Sequence, residues 1–109
     1  MKTKQFLIRT SDGGVVLATG LLLQDHPELA CVSSNEMNLK YSIIDIASGL
    51  FILVDATKKK LLFRWETNKE TLVKRIEEAR LLPRYEQRCS QLKSYVKAYR
   101  DRGVEVSYL

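Results

Sequence analysis

The stretch LKYSIIDIASGLFILVDATKKKLLFRW, residues 39–65, decides how this chain is read. Its middle, Leu50-Phe51-Ile52-Leu53-Val54, is five apolar residues with no alternation. Such a run fits a strand covered on both faces, which belongs in the centre of a sheet. Upstream, Leu39 to Ile46 reads as a strand joined to it by Ala47-Ser48-Gly49. Downstream, Leu61, Phe63 and Trp65 alternate with Leu62, Arg64 and Glu66, the period of a half-buried strand. The stretch therefore predicts a three-strand meander with Lys58-Lys59-Lys60 at the tip of its second hairpin.

Working outward towards the N-terminus, Lys4 to Thr10 and Val15 to Leu23 flank Ser11-Asp12-Gly13-Gly14, which supplies the positive-φ residues of a tight hairpin turn. Between that hairpin and the meander, Gln24 to Asn38 carries Asp25-His26-Pro27, paired serines and Asn35. It reads as a loop, with one helical turn around Pro27 to Ala30.

Towards the C-terminus, Thr67-Asn68-Lys69-Glu70 has the form of a capping box, in which each end side chain bonds the other residue's free backbone N–H. A helix is predicted from Thr67 to about Leu81, with Leu72, Ile76 and Ala79 on one face and Glu70 placed to pair with Lys74. Pro83 disfavours α geometry at Leu82 and suits the first turn of a second helix. Tyr85, Cys89, Leu92, Val96 and Tyr99 make its buried stripe, and Gly103 ends it. Val104 to Leu109 then alternates enough for a short final strand.

The fold class this implies is α+β: one domain over residues 1–109, with a curved antiparallel or mixed sheet of five to six strands (hairpin plus meander) packed by two C-terminal helices. Val15 to Leu23 and Leu50 to Val54 both want two covered faces, and two helices cover one. Strong sheet curvature resolves that, and so does a second copy of the chain, which makes a homodimer an expectation with a stated cause.

Composition and charge narrow the function classes. The 45% apolar and 28% charged content is that of an ordered globular domain. No secretory h-region follows Met1, and the apolar run Val15 to Leu23 is less than half a membrane span, so the expected location is cytoplasmic and no membrane partner is expected. Cys31 and Cys89 lack metal-ligand or disulfide-framework spacing and read as reduced thiols, Cys89 as a core residue. Residues 1–57 hold four basic and six acidic groups, a net −2, whereas residues 58–109 hold fourteen and seven, a net +7. That asymmetry suits an acidic or polyanionic partner.

The candidate contact residues follow from the charge. Placed about 100° apart on a helical wheel, Arg84, Arg88 and Arg102 share a flank with Tyr95. Lys93, Lys97 and Arg100 take the opposite flank, so both sets border the buried stripe. Long basic side chains do this when their stems cover apolar surface. Lys58, Lys59 and Lys60 could touch a phosphate backbone, or simply blunt a sheet edge.

His26, beside Asp25, Glu28 and Cys31, offers a Cys–His pair for nucleophilic chemistry, but no nucleophile motif surrounds it. Asp45 and Asp55 are read as serving hairpin ends. No catalytic residue, metal site or cofactor is expected. Two function classes remain: a small non-enzymatic binding or regulatory module acting through protein–protein contact, including with itself, and a nucleic-acid-binding accessory protein using the basic helix and the lysine tip.

Overall fold

A computed structural model describes residues 3–37 and 40–109. Five strands, β1 (Lys4–Arg9), β2 (Val15–Leu23), β3 (His26–Ser33), β4 (Tyr41–Asp45) and β5 (Phe51–Asp55), are followed by α1 (Lys58–Arg80) and α2 (Pro83–Asp101). The strands form one antiparallel meander in the order β1-β2-β3-β4-β5. The α+β class, the sheet and its packing by the C-terminal helices therefore agree with the sequence reading.

Five local expectations are overturned. The predicted loop Gln24 to Asn38 contains β3, the strand at the centre of the sheet. Its polar flanks hide the apolar run Leu29-Ala30-Cys31-Val32, buried on both faces. Asn38 and Leu39, where the expected loop ends and the expected strand begins, lie outside the described residues. The run Leu50 to Val54 was assigned the centre, yet β5 is an edge strand with Phe51 and Val54 exposed.

The third strand of the predicted meander, Leu61 to Trp65, is the start of α1. Leu61 and Trp65 are four apart and buried with Leu72 and Ile76, whereas Phe63 is 71% exposed, so the helical period beats the apparent alternation. Thr57 is the true N-cap, its hydroxyl accepting from Lys60 N at 3.2 Å. The capping-box signal at Thr67 marks a kink instead: Asn68 is non-helical (φ −115°, ψ 16°). There Thr67 Oγ1 donates to Phe63 O and Asn68 Nδ2 to Arg64 O, side-chain bonds to the preceding turn that bend helices.

α2 matches its prediction, with Pro83 at its first turn and Gly103 at φ +84° just beyond it. Val104–Leu109 is not a strand. It nevertheless lies beside β1: Ser107 N donates to Gln5 O at 2.7 Å, and Val106 is buried with Leu7, Leu92 and Val96.

The register explains how both sheet faces are buried. Leu7↔Leu17, Leu21↔Cys31 and Cys31↔Ile43 align one face, on which α1 covers Leu29, Cys31 and Ile43 and α2 covers Leu7. The other face carries Phe6, Ile8, Ala18, Ala30, Val32 and Ile44, which bury against one another with Ile46. Neither helix contributes to that cluster; the sheet curls until its concave face fills itself.

Small residues permit the curl. Gly20 is the sharpest case, since a Cβ there would sit 1.9 Å from Cys31 O. At the curled side Arg9 N donates to Gly49 O at 3.2 Å, and the Tyr108 hydroxyl donates to Ala47 O at 2.8 Å. The concave face is thus buried within one chain, while Leu22 of β2 and Phe51 and Val54 of β5 stay exposed. No helix among the described residues is long and apolar enough to cross a membrane.

Candidate partner-binding surface

Of the two outer strands of the meander, β1 meets returning backbone at Gly49 and Ser107, whereas among the described residues no backbone hydrogen bond returns to the outer edge of β5. β5 presents Phe51 at 39% and Val54 at 38% exposure and carries no lysine or proline, two of the residues that blunt natural edges; its one charge, Asp55, stands at its end. Arg64, from the first turns of α1, reaches it, donating from Nη1 to Val54 O (3.0 Å) and to Asp55 Oδ2 (3.1 Å). That hydrogen bond holds the Asp55 carboxyl below the usual carboxylate range, with Lys60 adding a smaller pull in the same direction. The C-terminal end of β5 is therefore net positive.

Its N-terminal end is positive as well. A cleft of about 510 Å³ opens beside Leu50 and Phe51, lined also by Arg9, Thr10, Ser11, Gly13, Arg88 and Gln91. A smaller hollow of about 130 Å³ adjoins it between Leu50, Ala79, Leu82, Arg84, Tyr85 and Arg88. No carboxylate lines either. Leu81 and Leu82, at the junction of the helices, are exposed nearby in the chain.

The candidate residues from the sequence divide accordingly. Arg84 and Arg88 come together beside the start of β5. Arg102 lies 14 residues beyond Arg88, about 21 Å along a straight helix, and its guanidinium sits 5.5 Å over the Tyr99 ring. Tyr95 packs against the Leu7, Leu92 and Val96 cluster, so its ring is no free stacking platform.

Lys58, Lys59 and Lys60 are exposed, but in the first turn of a helix and not at a hairpin tip. Cations there oppose the helix dipole. Of the three, Lys60 reaches the field of Asp55, and Lys58 turns to a different cleft.

Arg9 was missed. Its half-buried guanidinium is placed by the curl of the sheet, and a single basic residue at a strand end carries no sequence signal for that.

The cleft that takes Lys58 lies between the β2–β3 turn and α1, about 470 Å³ with Leu21, Leu23, Leu62 and Trp65 as apolar walls. It does bring His26 and Cys31 into one space. They form no nucleophile–base pair: His26 meets the Trp65 ring edge-on (centroids 5.6 Å apart) and its Nδ1 lies 3.3 Å from Glu28 Oε1. Burial pushes the Cys31 thiol up, against a smaller opposing pull from Lys58, which leaves it protonated near neutral pH.

Cys89, expected in the core, is half-buried, and burial raises its thiol too.

Asp45 is the polar centre of the molecule and more than a hairpin-end residue. It is 2% exposed and accepts from Ser48 Oγ (2.6 Å), Ser48 N (3.3 Å), Arg80 Nη2 (2.9 Å) and the Tyr85 hydroxyl (2.6 Å). This network ties the β4–β5 turn to the end of α1 and the start of α2, and so sets where Arg84 and Arg88 stand relative to β5. All four donors converge on one carboxylate, an arrangement that holds the three elements in position.

Comparison with known proteins returns no match to this chain among family models, curated proteins or solved structures.

Proposed function

We propose that the chain is a small non-enzymatic protein-binding module that docks an extended segment of a partner along the outer edge of β5. The observation that carries this reading is the edge itself: consecutive apolar residues Phe51 to Val54, two of them exposed, on the last strand of the sheet. Strand addition draws affinity from main-chain hydrogen bonds and specificity from alternate side chains.

Charge selects the occupant. A second copy related by a two-fold axis would run antiparallel, placing Lys60 and Arg64 of one β5 opposite Arg9 and Arg88 of the other, where like charges repel. A segment apolar in its middle and acidic at its ends matches both ends of β5. The curled sheet fills its concave face without a second copy, and like charges at the ends of β5 favour a partner over a homodimer. The nucleic-acid reading loses its aromatic component, because Tyr95 is packed and Arg102 is held over Tyr99.

The test uses a synthetic peptide of alternating valine and threonine with a glutamate at each end, followed by amide chemical shifts of the whole chain. Shifts centred on residues 51–55, abolished by N-methylating alternate peptide residues and by Val54→Lys, are the expected result. Shifts elsewhere, or binding that survives N-methylation, overturn strand addition. Light scattering is expected to give a monomer. A dimer that Val54→Lys dissociates would make a second copy the occupant and overturn the choice of partner.

A further inference from the structure

The Arg9 guanidinium is clamped on all three nitrogens by neutral acceptors: Nε donates to Ser48 O at 2.7 Å, Nη1 to Gln91 Oε1 at 2.8 Å and Nη2 to Arg88 O at 2.6 Å. These contacts fix its orientation and leave its charge uncompensated. They use three of the five N–H donors an arginine carries, so two remain. Arg88 lines the same cleft, and among the described residues its side chain makes neither a hydrogen bond nor an ion pair. Asp12, in the neighbouring turn, is tied to the Thr10 hydroxyl and to Gly14 N. Burial first, and then the nearby Arg88 charge, push the Arg9 pKa down, the response of a cation held beside another cation without an anion.

We propose that this cleft is an oxyanion pocket in which Arg9 and Arg88 grip a carboxylate carried by the segment docked on β5. The inference rests on the strand-docking reading, and it names the feature by which that site would select its partner. Arg9 supplies the two N–H donors its clamp leaves and Arg88 a guanidinium with no partner of its own among the described residues, donors suited to the two oxygens of a carboxylate. Phe51 belongs both to the wall of the cleft and to the first position of β5, so a residue at one end of an added strand reaches the guanidinium pair while its neighbours continue along the edge. The anion would relieve the repulsion between the two arginines, a stabilisation that exists only when the pocket is filled.

The experiment compares three versions of the same valine–threonine peptide, ending at the Phe51 side in glutamate, glutamine or phosphoserine, on the wild-type chain and on Arg88→Gln. Arg88 is the position to change because its side chain holds nothing else in place. The glutamate peptide is expected to bind about fivefold tighter than the glutamine peptide, with a shift at the Arg9 Nε–H resonance. Arg88→Gln should erase that difference.

Equal affinities on the wild type, or a difference that persists in Arg88→Gln, overturn the pocket. A gain for phosphoserine alone overturns the carboxylate assignment. If neither carboxamide nor carboxylate peptide binds, strand docking fails, and acetate alone then decides the pocket. A saturable shift at Arg9 Nε–H that Arg88→Gln removes supports it, and its absence overturns it.

Discussion

Along β1 the outer backbone groups meet other parts of the same chain: Arg9 N reaches Gly49 O, and Gln5 O takes Ser107 N from the C-terminal segment. Along β5 the Val54 carbonyl is met by a single arginine side chain. Both strands are edges of one sheet, and each is followed by a segment that could have covered it. The difference lies in what that segment does next. After β1 the chain turns back through Gly13 and the curl of the sheet brings distant backbone to its edge, whereas after β5 the chain leaves at once into α1, which packs its apolar side against Ile52 and Leu53 and reaches the rim through the Arg64 side chain. An edge left open by topology is then a place where another chain can complete the hydrogen bonding, and here charge stands at both of its ends.

That contrast depends on the curl, so the change with the largest expected effect is Gly20→Ala. Its Cβ would collide with the Cys31 carbonyl, and overpacking against backbone is expected to cost about 3 kcal/mol in urea unfolding. If the β1 edge opens as the curl relaxes, amides of Gln5 to Arg9 also lose exchange protection. A variant as stable as the wild type would show that the curl does not need glycine there.

Next is Asp45→Asn, which leaves Arg80 without its anion and weakens the bonds from Ser48 and Tyr85. Breaking a buried pair is severe, but the Arg80 side chain is 32% exposed and can turn to water, so about 2 kcal/mol is expected. Because this network places α2 against β5, Arg84 and Arg88 resonances should shift with it.

Val106→Ala tests the closed edge directly. Removing two buried methyl groups from the segment beside β1 is expected to cost about 1.5 kcal/mol. Faster exchange should be confined to β1, with β5 unchanged; an equal response at both edges would erase the distinction between them.

The smallest effect is expected from Tyr85→Phe, about 1 kcal/mol near neutral pH. Burial, and then the bond to the Asp45 carboxylate, hold the Tyr85 phenol above its ordinary value. The folded chain therefore keeps a proton that the unfolded chain releases near pH 10. This contribution is complete below about pH 10 and falls as pH rises towards the folded value. Wild type should lose melting temperature through that range more steeply than Tyr85→Phe; parallel curves would show that the phenol's shift does not reach stability. Tyr108, also raised by burial, accounts for part of the slope that remains.

Some of this was legible residue by residue. The Asp12-Gly13-Gly14 turn, Pro83 at a helix start and Gly103 at its end act through local φ preferences, so their sequence neighbours suffice. The errors fell where two periods coexist. Leu61, Phe63 and Trp65 satisfy a strand, but Leu61 and Trp65 also satisfy a helix, and burial against Leu72 and Ile76 chose. Leu29 to Val32 lacked alternation because both its faces are covered.

Among the contact residues, Arg84 and Arg88 were visible as one flank of α2. Their companion Arg9 was not, because 79 positions separate it from Arg88 and only the closing of the sheet brings them together.

By itself the sequence determined the α+β class, the first hairpin, the second helix and the concentration of positive charge after residue 57, since each depends on neighbours within a turn or two of chain. The tertiary structure decided which strand is central and which edge stays open. It also decided that a concave apolar face is filled by its own chain, and that Arg9 stands beside Arg88 with no acid lining their cleft among the described residues. Those outcomes depend on how far the sheet curls, which packing of small residues such as Gly20, Ala18 and Ala30 sets collectively and no local pattern encodes.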